Sequence, residues 1–349
     1  MIANGNLKRG AKTLVALCLW LGILQIPSAL GQSLDIPAKG WGLSIGNSKE
    51  FKGLRFNFRD SRVRRISGVN VTLWQPKKDN KDSVIRGLSL GLMPGGGDLR
   101  GVQLGILGVA ADKNATGINI GLVGSGSGED MSGLNLGGLG MGAGKNLTGI
   151  NLGGLGAGAG KNLTGLSLGG LGVGAGKNVV GLMIGGLGAG AGENLTGLAI
   201  GGLGVGAGEN VTGLMIGGLG AGAGKILKGI TLAGLGAGAG QKITGIMIAG
   251  LGAGAPEVDG LVIGGAGVGG VTLRGAFLAG GVVMVEKNGR LTGLALSSVN
   301  YFRGTLNGLS IGIVNYAWHV ERGLQIGLVN IIRDNPKGLR VLPVFNTKL

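Results

Sequence analysis

The chain has 349 residues, 84 of them glycine, with 44% hydrophobic, 3% aromatic and 14% charged residues and a formal net charge of +16. That hydrophobic share excludes a disordered polar tail, and so few aromatic rings leave nothing for the girdles of an outer-membrane barrel. Cys18 is the single cysteine and falls in the leader, so the rest of the chain has no disulfide, no thiolate nucleophile and no cysteine-ligated metal.

Residues 1–31 read as an export signal. Lys8, Arg9 and Lys12 supply the positive start, Thr13 to Ile26 a short apolar stretch, and Ala29-Leu30-Gly31 the small residues a signal peptidase reads, predicting a mature start at Gln32. About fourteen apolar residues fall short of the ~20 that span a bilayer. Bulky Leu17 before Cys18 argues against lipidation.

Residues 32–100 are predicted to form a basic N-terminal cap and irregular first coils, opened by Gly53, Gly68 and Gly87, with a small insertion around Pro76-Lys77-Lys78-Asp79. The segment holds 13 basic and 6 acidic residues. Arg55, Arg59, Arg62, Arg64 and Arg65 form a candidate basic patch for anionic lipid, lipopolysaccharide or a polyanionic glycan. The plainer reading is that charge keeps an open end of the array soluble and unpaired.

Residues 101–259 carry a sixteen-residue unit without a slip, opened by Gly101, Gly117, Gly133, Gly149, Gly165, Gly181, Gly197, Gly213, Gly229 and Gly245. Self-similarity at a fixed period means stacked units. In Gly149-Ile150-Asn151-Leu152-Gly153 the alternation is of strand type, and Leu155, Ala157 and Ala159 alternate with glycines in a second short strand before a Lys161-Asn162 turn. Glycine at this density excludes helix, each costing ~1 kcal/mol in a helix interior. The array therefore reads as an elongated parallel β-solenoid with two short strands per coil. The rival, a closed β-barrel, would need about thirty-six strands, each shorter than a membrane crossing requires.

Stacking turns equivalent positions into columns. The column Leu134, Ile150, Leu166, Leu182, Leu198, Leu214, Ile230, Ile246 is never polar and is expected to point inward, so Leu166→Asp should disrupt several coils at once. The next column runs Gln103, Asn119, Asn135, Asn151, Ser167, then Met183, Ala199, Met215, Thr231, Met247, Val262, and returns to Ala295, Ser310, Gln325 and Arg340. Read as outward, its central stretch makes Met183, Ala199, Met215, Met247 and Val262 a candidate contact stripe for self-association or an envelope partner. An inserted loop or the C-terminal segment covering it is the competing reading.

Two further columns invite a function. Glycines such as Gly140 and Gly142 leave one face of the second strand bare, which suits lateral pairing or a need to turn tightly. Asn146, Asn162 and Asn178 form a turn column, with Thr148 and Thr164 close by. Asparagine suits such turns and can hydrogen-bond its own column. A threonine ladder could order water for ice or glycan binding, but this column is broken at Val180 and Lys228. Lys145, Lys161 and Lys177 stack as like charges at a solvated corner.

Residues 260–349 continue with looser spacing at Gly260, Gly275, Gly293, Gly308, Gly323 and Gly338, bring the total to about eighteen coils, and end in a second basic cap with 9 basic and 3 acidic residues. An insertion falls around Glu286-Lys287-Asn288-Gly289. Enzyme signals are lacking. His319 is the only histidine, and Gly265-Ala-Gly267-Val-Gly-Gly270 spells a dinucleotide fingerprint with no helix expected to follow.

The coils Gly308-Leu-Ser-Ile-Gly-Ile-Val-Asn-Tyr316 and Gly323-Leu-Gln-Ile-Gly-Leu-Val-Asn-Ile331 resemble the GLxIGLVN repeats of bacterial surface-exposed repeat proteins, including leptospiral ones. The resemblance covers residues 87–346, with glycine replacing asparagine in the middle. It implies an exported bacterial solenoid at the outer membrane, cell surface or periplasm, and transfers no site residues. Together these readings point to a non-enzymatic scaffold or adhesive surface with no cofactor and no nucleic-acid partner. The alternatives are a binding module for envelope lipid or polyanionic glycan through the basic ends, and an outer-membrane barrel.

Overall fold

The computed structural model describes residues 33–38 and 40–348; the segment 1–31, read from the sequence as an export signal, lies outside them. The protein is a parallel β-solenoid of about seventeen turns, not a barrel. In the regular array each coil has a long strand, as in Asn146–Gly153, and a short one, as in Gly156–Ala159. Each pairs in register with its counterpart sixteen residues on, Asn146 with Asn162 and Ala157 with Val173. In the terminal coils the two strands merge into longer ones, such as Val299–Ile311 and Val314–Ile332.

The ends differ from the expectation. Stacking begins one rung earlier, at Trp41–Ile45, and Gly42 already has the backbone of an opening glycine. Gly338 opens no coil: it lies in a short 3-10 turn, after which Val341–Thr347 runs back antiparallel along the last rung. Leu34–Ala38 covers the first rung in the same antiparallel manner.

The opening glycine is required twice over. At Gly149 φ is +107°, where L side chains are strained, and a Cβ would stand 2.2 Å from the Gly133 carbonyl oxygen of the preceding coil. Repeated down the stack, this lets consecutive backbones nest at one corner.

The lumen is narrow, and its width decides which residues face inward. A buried aliphatic column, Leu147, Leu163, Val179, Leu195, Val211, runs along it, joined in some coils by a second large side chain such as Met183, Met215 or Phe277. Small residues complete the filling: Ala157, Ala159 and the buried Gly153, whose added Cβ would meet the Gly156 carbonyl oxygen at 2.0 Å. Leu155 lies on the outer side of its turn, 51% exposed, and not on the alanine face.

The two columns read from the alternation are therefore inverted. Ile150 is 45% exposed, and Leu134, Leu166 and Leu182 are half-buried on the outer surface. Met183, Ala199, Met215, Met247 and Val262, the candidate contact stripe, are all buried at 0% exposure. Nothing can dock on them. The polar members of that column are buried too, and four of them form a ladder: Asn119 donates to Asn135, Asn135 to Asn151, both at 2.8 Å, and Asn151 to Ser167 at 3.1 Å, whereas the Gln103 amide and the Thr231 hydroxyl are buried without a hydrogen-bond partner. Such a ladder makes asparagine tolerable at a lumen position that other coils fill with methionine.

Candidate functional site

The widest feature of the molecule is the outer face of the long-strand sheet. One column starts at Leu43 and passes through Leu54, Val69, Leu88 and Val102 into Ile118, Leu134 and the rest of the array, ending with Leu294, Leu309 and Leu324. A second, two residues further along each strand, runs from Ile45 and Phe56 through Leu152, Leu168 and Ile184 to Ile311 and Ile326. The register takes both columns through nineteen rungs without a polar residue. A third row follows at the turn, where Leu139, Leu155, Leu171, Leu187, Leu203 and Leu219 are each about half exposed.

At ~4.8 Å per rung the face is about 85 Å long, and a width of ~12 Å gives on the order of 1,000 Å². The largest apolar patch of an ordinary monomer is ~300–600 Å². Keeping such a face in water forgoes about 25 kcal/mol at ~25 cal/mol per Å².

Polar groups border this face without interrupting it. The flanking column holds Thr116, Thr148, Thr164, Thr196 and Thr212 in the middle and Lys52, Arg86, Arg100, Arg274 and Arg322 toward the ends, with Lys228 between. Among the described residues, Lys52, Arg86, Lys228 and Arg322 are exposed and make no ion pair. Trp41 heads this column, 56% exposed. Acidic Asp259 also lies in it and is held by Lys242 at 2.5 Å. The hydrogen bond from Lys242 lowers the Asp259 pKa, against the opposing effect of desolvation, and the same bond raises that of Lys242.

The array's other charges occupy a separate corner. Lys145, Lys161 and Lys177 do stack there, but the run is bounded by acids: Lys145 pairs with Glu129 at 2.9 Å and Lys177 with Glu193 at 2.9 Å. Beside them Asn162, Asn178, Asn194 and Asn210 each donate to the preceding asparagine at 2.8–3.1 Å. Each amide gives one of its two N–H donors to the ladder, and Asn162, Asn178 and Asn194 also give the acceptor oxygen, which fixes the orientation of the column.

The candidate basic patch assembles only in part: Arg64 and Arg65 line one cavity with Lys52 and Arg86, and the other three arginines lie outside it. Arg55 has 0% exposure and sits in the lumen, bonded to Asp60 at 2.5 Å, Asn70 at 2.7 Å and Asn47 at 3.0 Å. Burial of an arginine there is sustained because Asp60 also accepts from Asn57 and Thr72, so the pair is almost fully hydrogen-bonded. Arg62 and Arg64 are exposed beside Asp79 and Glu50, at 3.8 and 3.0 Å, and Arg59 donates to the Gln75 carbonyl. Arg65 is exposed without an ion pair among the described residues. Sequence reasoning missed Lys52, Arg86, Lys228 and Arg322 as a set; the column register, extended outward from the regular array, was the signal that links them.

The His319 Nδ1 lies 2.7 Å from an Asp334 carboxylate oxygen. Among the described residues no three potential metal ligands cluster, and strands surround Gly265–Gly270 where a dinucleotide site needs a helix. No described helix is long and apolar enough to cross a membrane.

The asparagines of the GLxIGLVN-like coils lie in the lumen. Asn300 donates to Asn315 and Asn315 to Asn330, both at 2.8 Å. Register aligns Asn300 with Val283, Val268 and Ala253, the inward alanine column, because the fifteen-residue coil drops one residue at the turn. No family model matches this chain, and neither do any curated protein or solved structure.

Proposed function

We propose that this chain is a non-enzymatic, exported scaffold or adhesive rod whose working surface is the aliphatic outer face of the long-strand sheet. The observation that carries the reading is two apolar columns, unbroken over nineteen rungs, outside a lumen that buries asparagine and serine. Folding alone does not call for this arrangement, since the lumen has its own filling. A scaffold needs a long rigid surface, and in-register stacking supplies one.

The test is fractionation of cells making the protein, comparing wild type with the triple variant Ile150→Ser/Leu182→Ser/Leu214→Ser. Wild type should remain in the envelope pellet after a salt wash, and the variant should be released. Wild-type protein that is freely soluble, with a variant indistinguishable from it, would overturn the proposal.

A further inference from the structure

Resting on that reading of the outer face, we propose that its occupant is a lipid leaflet with anionic headgroups, on which the rod lies flat along its whole length. The face is far longer than the ~30 Å hydrocarbon core of a bilayer, so it fits along a membrane and not across one. Its apolar columns suit burial at the boundary between headgroups and acyl chains, the depth at which amphipathic surfaces settle.

The rim supplies the complementary charge. Lys52, Arg86 and Arg322 are exposed and unpaired in the column beside the face, toward its two ends, and Lys228 lies between them. Long basic side chains in that position can lie along the apolar surface while their heads reach lipid phosphates. Exposed rings stand at the ends of the same face, where amphipathic or bulky aromatic groups anchor at an interface: Trp41 and Phe56 at one end and Phe345 at the other.

A second copy of the chain is the competing occupant, and its area would suffice, since a stable dimer buries ~800 Å² per partner. Charge opposes it. Residues 32–100 carry 13 basic against 6 acidic residues and residues 271–349 carry 9 against 3, so both orientations of a face-to-face pair set basic ends against each other.

The experiment is flotation of the full chain with vesicles of phosphatidylcholine alone or with about 30% phosphatidylglycerol, with light scattering of the protein without lipid. Wild type should float with the anionic vesicles. The triple variant Ile150→Ser/Leu182→Ser/Leu214→Ser should bind on the order of a hundredfold more weakly. Both retain the apolar stretch Thr13–Ile26, so a loss reports on the face. Lys52→Gln/Arg86→Gln/Arg322→Gln should erase the preference for anionic over neutral vesicles, and unchanged circular dichroism shows that the variants fold. Wild type that ignores both vesicles but forms a dimer dissolved by the triple serine variant would overturn the lipid occupant and leave the outer face standing as a docking surface. A monomer that ignores both vesicles would overturn this proposal and the reading it rests on.

Discussion

Leu147 and Ile150 stand three residues apart in one rung, and exchanging each for alanine tests the inside-out arrangement of the array. Leu147 is fully buried at 0% exposure, and Ile150 is 45% exposed. Removing a buried leucine side chain costs the transfer free energy plus the cavity left behind, about 2–5 kcal/mol. In a lumen lined by glycine and alanine few neighbours can move in, which sets Leu147→Ala toward the upper part of that range. Ile150 keeps roughly half its burial-derived stabilisation against its column neighbours, so Ile150→Ala should cost about 1 kcal/mol. Urea unfolding followed by far-ultraviolet circular dichroism reads both variants, and the comparison is of midpoints at unchanged slope. The polar counterparts sharpen the contrast. Leu147→Asp should abolish folding of the central coils, and Ile150→Asp, like Leu166→Asp, should leave the stack intact. A midpoint for Ile150→Ala as low as that for Leu147→Ala would refute the assignment of faces.

Gly158→Ala should be neutral or stabilise by up to about 1 kcal/mol, because its φ is ordinary and the added Cβ would lie 3.8 Å from the Gly174 carbonyl oxygen. Gly149→Ala, at φ +107° and 2.2 Å from a backbone oxygen, should split the array into less stable halves, visible as loss of a single unfolding transition. Asp60→Ala leaves the Arg55 guanidinium buried without a counter-charge, and thermal unfolding should show a loss of about 3–5 kcal/mol. Arg55→Leu/Asp60→Leu should lose less than Asp60→Ala. Burial raises the pKa of Asp35, but hydrogen bonds from Ser44, the Gly40 amide and Ser48 outweigh it, so the net shift is downward. A depressed carboxyl stabilises the fold above its ordinary value and stops doing so as pH falls through its folded value. The stability gap between wild type and Asp35→Asn should therefore be full at neutral pH and close below the ordinary 3.8; a gap that persists in acid would count against it.

The period, the parallel stacking and the two strands per coil were legible because every copy repeats the same glycines and the same alternation. The direction of the faces was not. Alternation separates Ile150 and Leu152 from Asn151 but carries no information on which set points inward, and hydrophobicity, the usual arbiter, here gives the wrong answer. Size was the available signal. Gly153, Ala157 and Ala159 keep the lumen narrow, and Leu147 or its equivalent returns to the core there as the sequence suggests. Arg55 was read as surface because arginine is seldom buried; its place in the column of Ser44 and Asn70 puts it inside. The ends were less legible than the middle, since the antiparallel return of Val341–Thr347 depends on contacts outside any repeat.

Both terminal rungs are covered by antiparallel strands, Leu34–Ala38 at one end and Val341–Thr347 at the other. The number of coils between them is then free to vary. Gain or loss of one sixteen-residue unit by recombination between near-identical copies would leave both covers intact and change the rod by one rung, ~4.8 Å. Each such event also adds or removes one rung of outward aliphatic side chains. If the outer face is the binding surface, as proposed, binding free energy would grow in proportion to copy number and the binding constant geometrically, so a lineage could tune affinity by counting repeats, with no new residue invented.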